Sequence, residues 1–265
     1  MSARSWMKQL QSLPGAVRLI ALDLPGHGES DPAPGASVED YAAVVADFLI
    51  ALDCGPVVVV GHSLGGSIAI ALAARRPALV QGLVLIASCV TLPLVDSVGE
   101  RLVAYLPGPL RRLFFFSMAK KVLFAPGAPA DAIAITMQEL RACRPETIAA
   151  DVRTARAMDL TEQAAALDVP ALVLAGSRDR LTTPALAERL SASIRRSRLR
   201  IVDGAGHMLP LEAAERVNRE IVTFVESLAA PLPASKPDAR DRSLSRLLDR
   251  LAGFARRLRG APPPP

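Results

Sequence analysis

Short runs of β-branched and aliphatic residues alternate, over residues 17–227, with longer Ala/Leu-rich stretches whose apolar positions recur at helical spacing. Parallel strands joined by crossover helices produce this alternation, so the expected class is α/β, with a mostly parallel central sheet flanked by helices. The pattern predicts strands at residues 17–22, 57–60, 83–87, 171–175 and 199–202. Helices are predicted at residues 38–52, 64–75 (stopped by Pro77), 184–194 with Thr183 as N-cap, and 213–228. From about Thr91 to Leu167 the pattern changes. No strand is evident there, while Leu102, Tyr105, Leu106, residues 113–116, Met118, Val122 and Phe124 form apolar clusters broken by Pro107, Pro109 and Pro126. That stretch reads as a helical insertion lying over another surface. The expected organisation is a core of residues 1–90 and 168–229, a helical cap at 91–167, and a tail at 230–265.

Composition narrows the class. With 265 residues, 51% of them apolar and 22% charged, the chain can bury one sizeable core. Its longest apolar stretch, residues 83–95, is interrupted by Ser88, Thr91 and Pro93 and falls short of the roughly 20 residues of a membrane span. Arg4 and Lys8 precede no uninterrupted apolar region with a cleavage site, so a cytoplasmic location is expected. Cys54, Cys89 and Cys143 are widely spaced and odd in number, which supports neither a disulfide framework nor a zinc site, and no metal or cofactor is expected.

The net charge of +5 sits in the tail. From Lys236 to Arg259 there are eight Lys/Arg and three Asp, so the rest of the chain is neutral and carries no electrostatic footprint for nucleic acid. The tail is a Pro/Ala linker followed by residues 243–259. There Leu244, Leu247, Leu248, Leu251, Phe254, Ala255 and Leu258 recur at helical spacing among arginines. A basic amphipathic helix of this kind can dock on its own protein, stay solvated, pair with a partner, or lie on an anionic membrane surface.

The chemistry begins at Gly61-His62-Ser63-Leu64-Gly65-Gly66. A serine hydroxyl is a weak nucleophile at neutral pH and needs a histidine placed to take its proton. The pattern G-x-S-x-G, set between a predicted strand and a predicted helix, is the context of a nucleophile elbow: the serine occupies a strained turn, and Gly61 and Gly65 leave room for crowded backbone.

Further landmarks make the likeness specific: residues 23–30 (DLPGHGES), the elbow, Gly176-Ser177-Arg178-Asp179 and Gly204-Ala205-Gly206-His207. Together, over about Trp6 to Leu228, they resemble α/β-hydrolase enzymes of the serine esterase type. The resemblance implies a triad in the order nucleophile, acid, histidine, with the acid after a late strand and the base after the last. Ser63, Asp179 and His207 fall in those places. Of the other two histidines, His62 neighbours the nucleophile on a tight turn and should point away from its hydroxyl. His27 lies in a loop that the resemblance places near the site as a structural element. Asp203, at the end of the same strand as His207, is the alternative acid.

Leu64 is the expected backbone donor to an oxyanion. The resemblance puts the second donor in a loop after an earlier strand, and residues 5–13 resemble the helix that follows that loop, so the chain is expected to begin just after it. In the family a further strand lies between those at 17–22 and 57–60. Either these two strands pair directly here, or the sequence is a shortened form; a gap between them is expected for the second case and a regular ladder for the first.

The resulting expectation is hydrolysis of a small-molecule carboxylic ester through an acyl-enzyme, with apolar cap residues facing an apolar substrate portion. The same triad supports lactonase, amidase, acyltransferase or cofactor-free peroxidase chemistry, and a non-catalytic binding protein is the alternative from another class.

Overall fold

The computed structural model describes residues 2–13, 17–32, 37–53, 55–93 and 108–229. The predicted tail helix at 243–259 and Cys54 lie outside them. The chain divides into Met1–Ser227 and Leu228–Pro265, and the fold below is that of the first unit.

In chain order its elements are a 3-10 turn at Ala3–Trp6, α1 (Met7–Ser12), α2 (Val38–Ala51), β1 (Val57–His62), α3 (Leu64–Arg75), a 3-10 turn at Pro77–Leu79, and β2 (Val80–Ile86). Then come α4 (Gly108–Leu123), α5 (Ala130–Ala142), α6 (Pro145–Ala157), α7 (Thr161–Ala165), β3 (Ala171–Gly176), α8 (Pro184–Ser193), β4 (Ser197–Val202), α9 (Leu209–Glu212) and α10 (Ala214–Ala229). The four strands form one parallel sheet in the order β1-β2-β3-β4. Burial follows position in that order. Every residue of β3 and all of β2 except Gln81 are buried, as apolar strands covered on both faces must be. β4, at one edge, alternates, and β1, at the other, is mostly half-buried.

Local chemistry sets the helices. Ser37 and Asp40 form a reciprocal capping box that starts α2. α3 is rich in alanine and glycine and runs against the sheet with Gly66 through Ala73 buried. α10 buries Val217, Ile221 and Phe224 at helical spacing. Full burial of side chains such as Leu83, Leu85 and Leu174 contributes about 1.5–3 kcal/mol each. Thr183 does precede α8, but its side chain makes no capping hydrogen bond, and Pro184 starts the helix instead.

One expected strand is not formed. Residues 17–22 make no ladder with β1, and Val17, Leu19 and Ile20 remain about 40% exposed. Strand-like composition becomes a strand only when a neighbour completes its hydrogen bonds, and none does so among the described residues. The direct pairing of 17–22 with 57–60 is therefore not found. Within the helical stretch between β2 and β3, Leu113 is 68% exposed and Phe114 and Phe115 are exposed as well. Phe116 instead sits under the guanidinium groups of Arg112 and Arg141.

Between β2 and β3 the described elements are helical, apart from one antiparallel bridge from Thr91 to Asp159. These helices are tied to the rest at polar points. Lys8 pairs with Asp131 at 2.8 Å, and Ser2 bonds to Glu139 through its hydroxyl. Asp151 on α6 accepts from His27 Nε2 at 2.9 Å and from Tyr41 at 3.0 Å, and His27 is buried. Of the described helices, none is long and apolar enough to cross a membrane.

Candidate active site

The turn between β1 and α3 carries Ser63 at φ 54° and ψ −123°, outside the regions open to most L-residues. Its N–H donates to Ile86 O on β2 at 2.8 Å, and Ser88 Oγ donates to its carbonyl at 2.8 Å. The neighbouring glycines are needed unequally. A Cβ on Gly61 would overlap the carbonyl oxygen of Gly65, and one on Gly66 would overlap Ser88 Oγ. A Cβ on Gly65 would meet nothing within 4 Å. Crowding thus falls on Gly61 and Gly66, not on the Gly61/Gly65 pair. Leu64 opens α3, where the first N–H groups of a helix have no intrahelical acceptor.

Asp179 lies just after β3 and His207 just after β4, at the same end of the sheet as Ser63. His207 Nδ1 is 2.9 Å from Asp179 Oδ2. A carboxylate only accepts, so Nδ1 carries the proton. Asp179 Oδ1 accepts the N–H groups of Leu181 and Thr182 at 2.8 and 2.9 Å, and Thr182 Oγ1 donates to Oδ2 at 2.7 Å. Burial pushes the Asp179 carboxyl up, but the hydrogen bond and charge of His207, together with Thr182 and the Leu181 N–H, hold it below the usual range. Thr182 is also 3.1 Å from His207 Nδ1, a contact the sequence pattern did not signal except by its place three residues after the acid. Asp203 is occupied elsewhere, accepting from Ser177 Oγ at 3.0 Å.

His62 is engaged with the loop of the base. Its Nε2–H donates to the carbonyl of His207 at 2.8 Å, and the two rings lie 5.0 Å apart. Burial, with the nearby His207, pushes its pKa down to about 3, so His62 is neutral.

Ser63, Leu64 and His207 line one cavity of about 1500 Å³. Val122, Leu123, Leu140, Val152 and Met158 of the intervening helical stretch line it as well. Its wall also includes residues 17–22 and 57–60, the two stretches that were expected to pair. No cluster of three or more potential metal ligands occurs among the described residues.

A model of the "Alpha/beta hydrolase family" matches residues 1–220. A pimeloyl-[acyl-carrier protein] methyl ester esterase of Neisseria meningitidis is 32% identical over 224 residues, covering 82% of this chain and 86% of the relative. An (E)-2-((N-methylformamido)methylene)succinate hydrolase of Acinetobacter baylyi is 25% identical, covering 86% and 87%. Among solved structures, a thermophilic esterase from Thermogutta terrifontis superposes with a TM-score of 0.75 at 28% identity, over 87% of each chain.

Proposed function

The chain belongs to the alpha/beta hydrolase family, and from that premise we propose that it hydrolyses a carboxylic ester through an acyl-enzyme on Ser63, with His207 as general base and Asp179 as its partner. The observation that carries this reading is the 2.9 Å bond between Asp179 and Nδ1 of His207, the histidine that lines one cavity with Ser63. It fixes the tautomer in which Nε2 is the free basic nitrogen.

Ser63 Oγ attacks the ester carbonyl carbon while its proton passes to His207 Nε2. The resulting imidazolium is stabilised by the Asp179 carboxylate, and the N–H of Leu64 donates to the oxyanion. Collapse breaks the bond to the alcohol, which leaves with the proton from Nε2. Water then attacks the acyl carbon as His207 Nε2 takes its proton, the bond to Ser63 Oγ breaks to release the acid, and Oγ regains the proton from Nε2. The apolar side chains at Val122, Leu140, Val152 and Met158 favour a substrate with an apolar portion, and the described helices between β2 and β3 that carry them serve as the cap.

Incubation with a fluorophosphonate probe tests the reading. Stoichiometric modification at Ser63, absent in Ser63→Ala, together with turnover of p-nitrophenyl esters, is expected. A folded protein unmodified at Ser63 would favour a binding function instead.

A further inference from the structure

We propose that Glu212 is a positioning residue for His207, acting by locking the loop that carries the base onto the end of α4; this rests on the hydrolase reading above. Its Oε2 accepts the N–H of Ala125 at 3.1 Å and of Gly206 at 3.1 Å, and its Oε1 accepts the N–H of Met208 at 3.0 Å. One carboxylate therefore gathers three main-chain donors from two distant stretches, and two of them flank the base on either side.

The surroundings leave that loop little freedom. The carbonyl of Leu123, the last residue of α4, accepts the N–H of His207 at 3.0 Å and approaches that of Met208 at 3.2 Å. A Cβ on Gly206 would lie 2.5 Å from Ala125 N and 2.9 Å from Glu212 Oε1, so the loop and the chain after α4 are in direct contact. The carbonyl of His207 is held by His62. The imidazole is oriented by Asp179 and Thr182, but the main chain from which it projects is placed by Glu212 and its partners. Bonds to an ionised acceptor are roughly twice as strong as neutral ones, so a single side chain can dominate here. A glutamine cannot substitute: with one oxygen replaced by NH2, a donor would face a main-chain donor.

The test compares p-nitrophenyl acetate hydrolysis by the full chain as wild type, Glu212→Gln and Glu215→Gln. The last removes an exposed carboxylate near the start of α10 and should leave kinetics unchanged. Because a misplacement of about 1 Å costs on the order of 100-fold, kcat of Glu212→Gln is expected to fall about 10- to 100-fold. KM should stay within about twofold, since no substrate contact is removed. The fluorophosphonate rate at Ser63 should fall with kcat.

Wild-type kcat in Glu212→Gln overturns the proposal. So does a loss of activity that merely tracks the fraction of folded protein, which would make Glu212 an anchor without influence on the base. If Glu212→Gln does not fold, amide exchange in the wild type decides: joint protection of Ala125, Gly206 and Met208 supports the lock, and rapid exchange at Gly206 or Met208 overturns it. A wild type that the probe fails to label overturns the hydrolase reading itself, whereas a labelled wild type with an unimpaired Glu212→Gln overturns only the role of Glu212.

Discussion

Replacing Ser63 by alanine and by glycine separates the hydroxyl from the strain of the turn that presents it. Both variants lose the oxygen, but only glycine loses the Cβ that makes φ 54°, ψ −123° unfavourable. A non-glycine residue held in such a region costs on the order of 1–3 kcal/mol. Against this, the extra freedom of glycine in the unfolded chain costs about 0.5–1 kcal/mol. Taken at mid-range, the difference makes Ser63→Gly more stable than Ser63→Ala by about 1 kcal/mol, the reverse of the order found at ordinary helix positions. At about 2–4 °C per kcal/mol, its Tm should lie roughly 2–4 °C higher. Urea unfolding followed by circular dichroism, with calorimetry for Tm, measures the gap, and activity does not confound it because both variants lack the nucleophile. A glycine variant as stable as the alanine variant or less so would refute the claim that the elbow stores backbone strain.

Gly65→Ala should be tolerated or raise stability by up to about 1 kcal/mol through helix propensity, because its Cβ meets open space. Gly66→Ala should lower soluble yield and activity together, and Ser88→Gly, which removes the atoms in the way, should restore part of both; no rescue would mean the overlap with Ser88 is not the cause. His62 gives a pH dependence. Its folded pKa of about 3 is below the unfolded value of about 6.5, so below pH 6.5 the unfolded chain takes up a proton that the folded one refuses. Stability should therefore fall with pH through that window, by on the order of 2 kcal/mol between pH 7 and 5. His62→Gln, which keeps a donor for the His207 carbonyl, should flatten that limb of a stability-against-pH curve, and parallel curves for the two proteins would contradict it.

The prospective triad was readable because each member stands in a distinctive turn just past a strand, where a glycine or a charged residue interrupts an apolar run. Asp179 and His207 meet because β3 and β4 are parallel neighbours, so their C-terminal ends lie at one edge. Thr182 and Glu212 were not readable: a hydroxyl three residues after an acid and a carboxylate five after a histidine look like solvated helix starts until the loops close on them. Periodicity likewise placed residues 17–22 in a strand, because a sequence pattern records what a segment could pair with and not whether a neighbour is there. The exposure of Phe114 and Phe115 was not readable for a related reason. Apolar content marks a helix as able to bury a face, and only the packing says which face it turns inward.

The outer side of β1 bears on how the protein behaves in company. Among the described strands β1 pairs with β2, and the N–H of Ser63, just after it, points that way, so by alternation the N–H groups of Val58 and Val60 turn to the other side. Four consecutive valines beside such an edge are what another extended chain would pair with. Concentration then becomes a variable of the preparation, since self-association along β1 would stiffen the approach to the reactive turn while closing the cavity that leads to it.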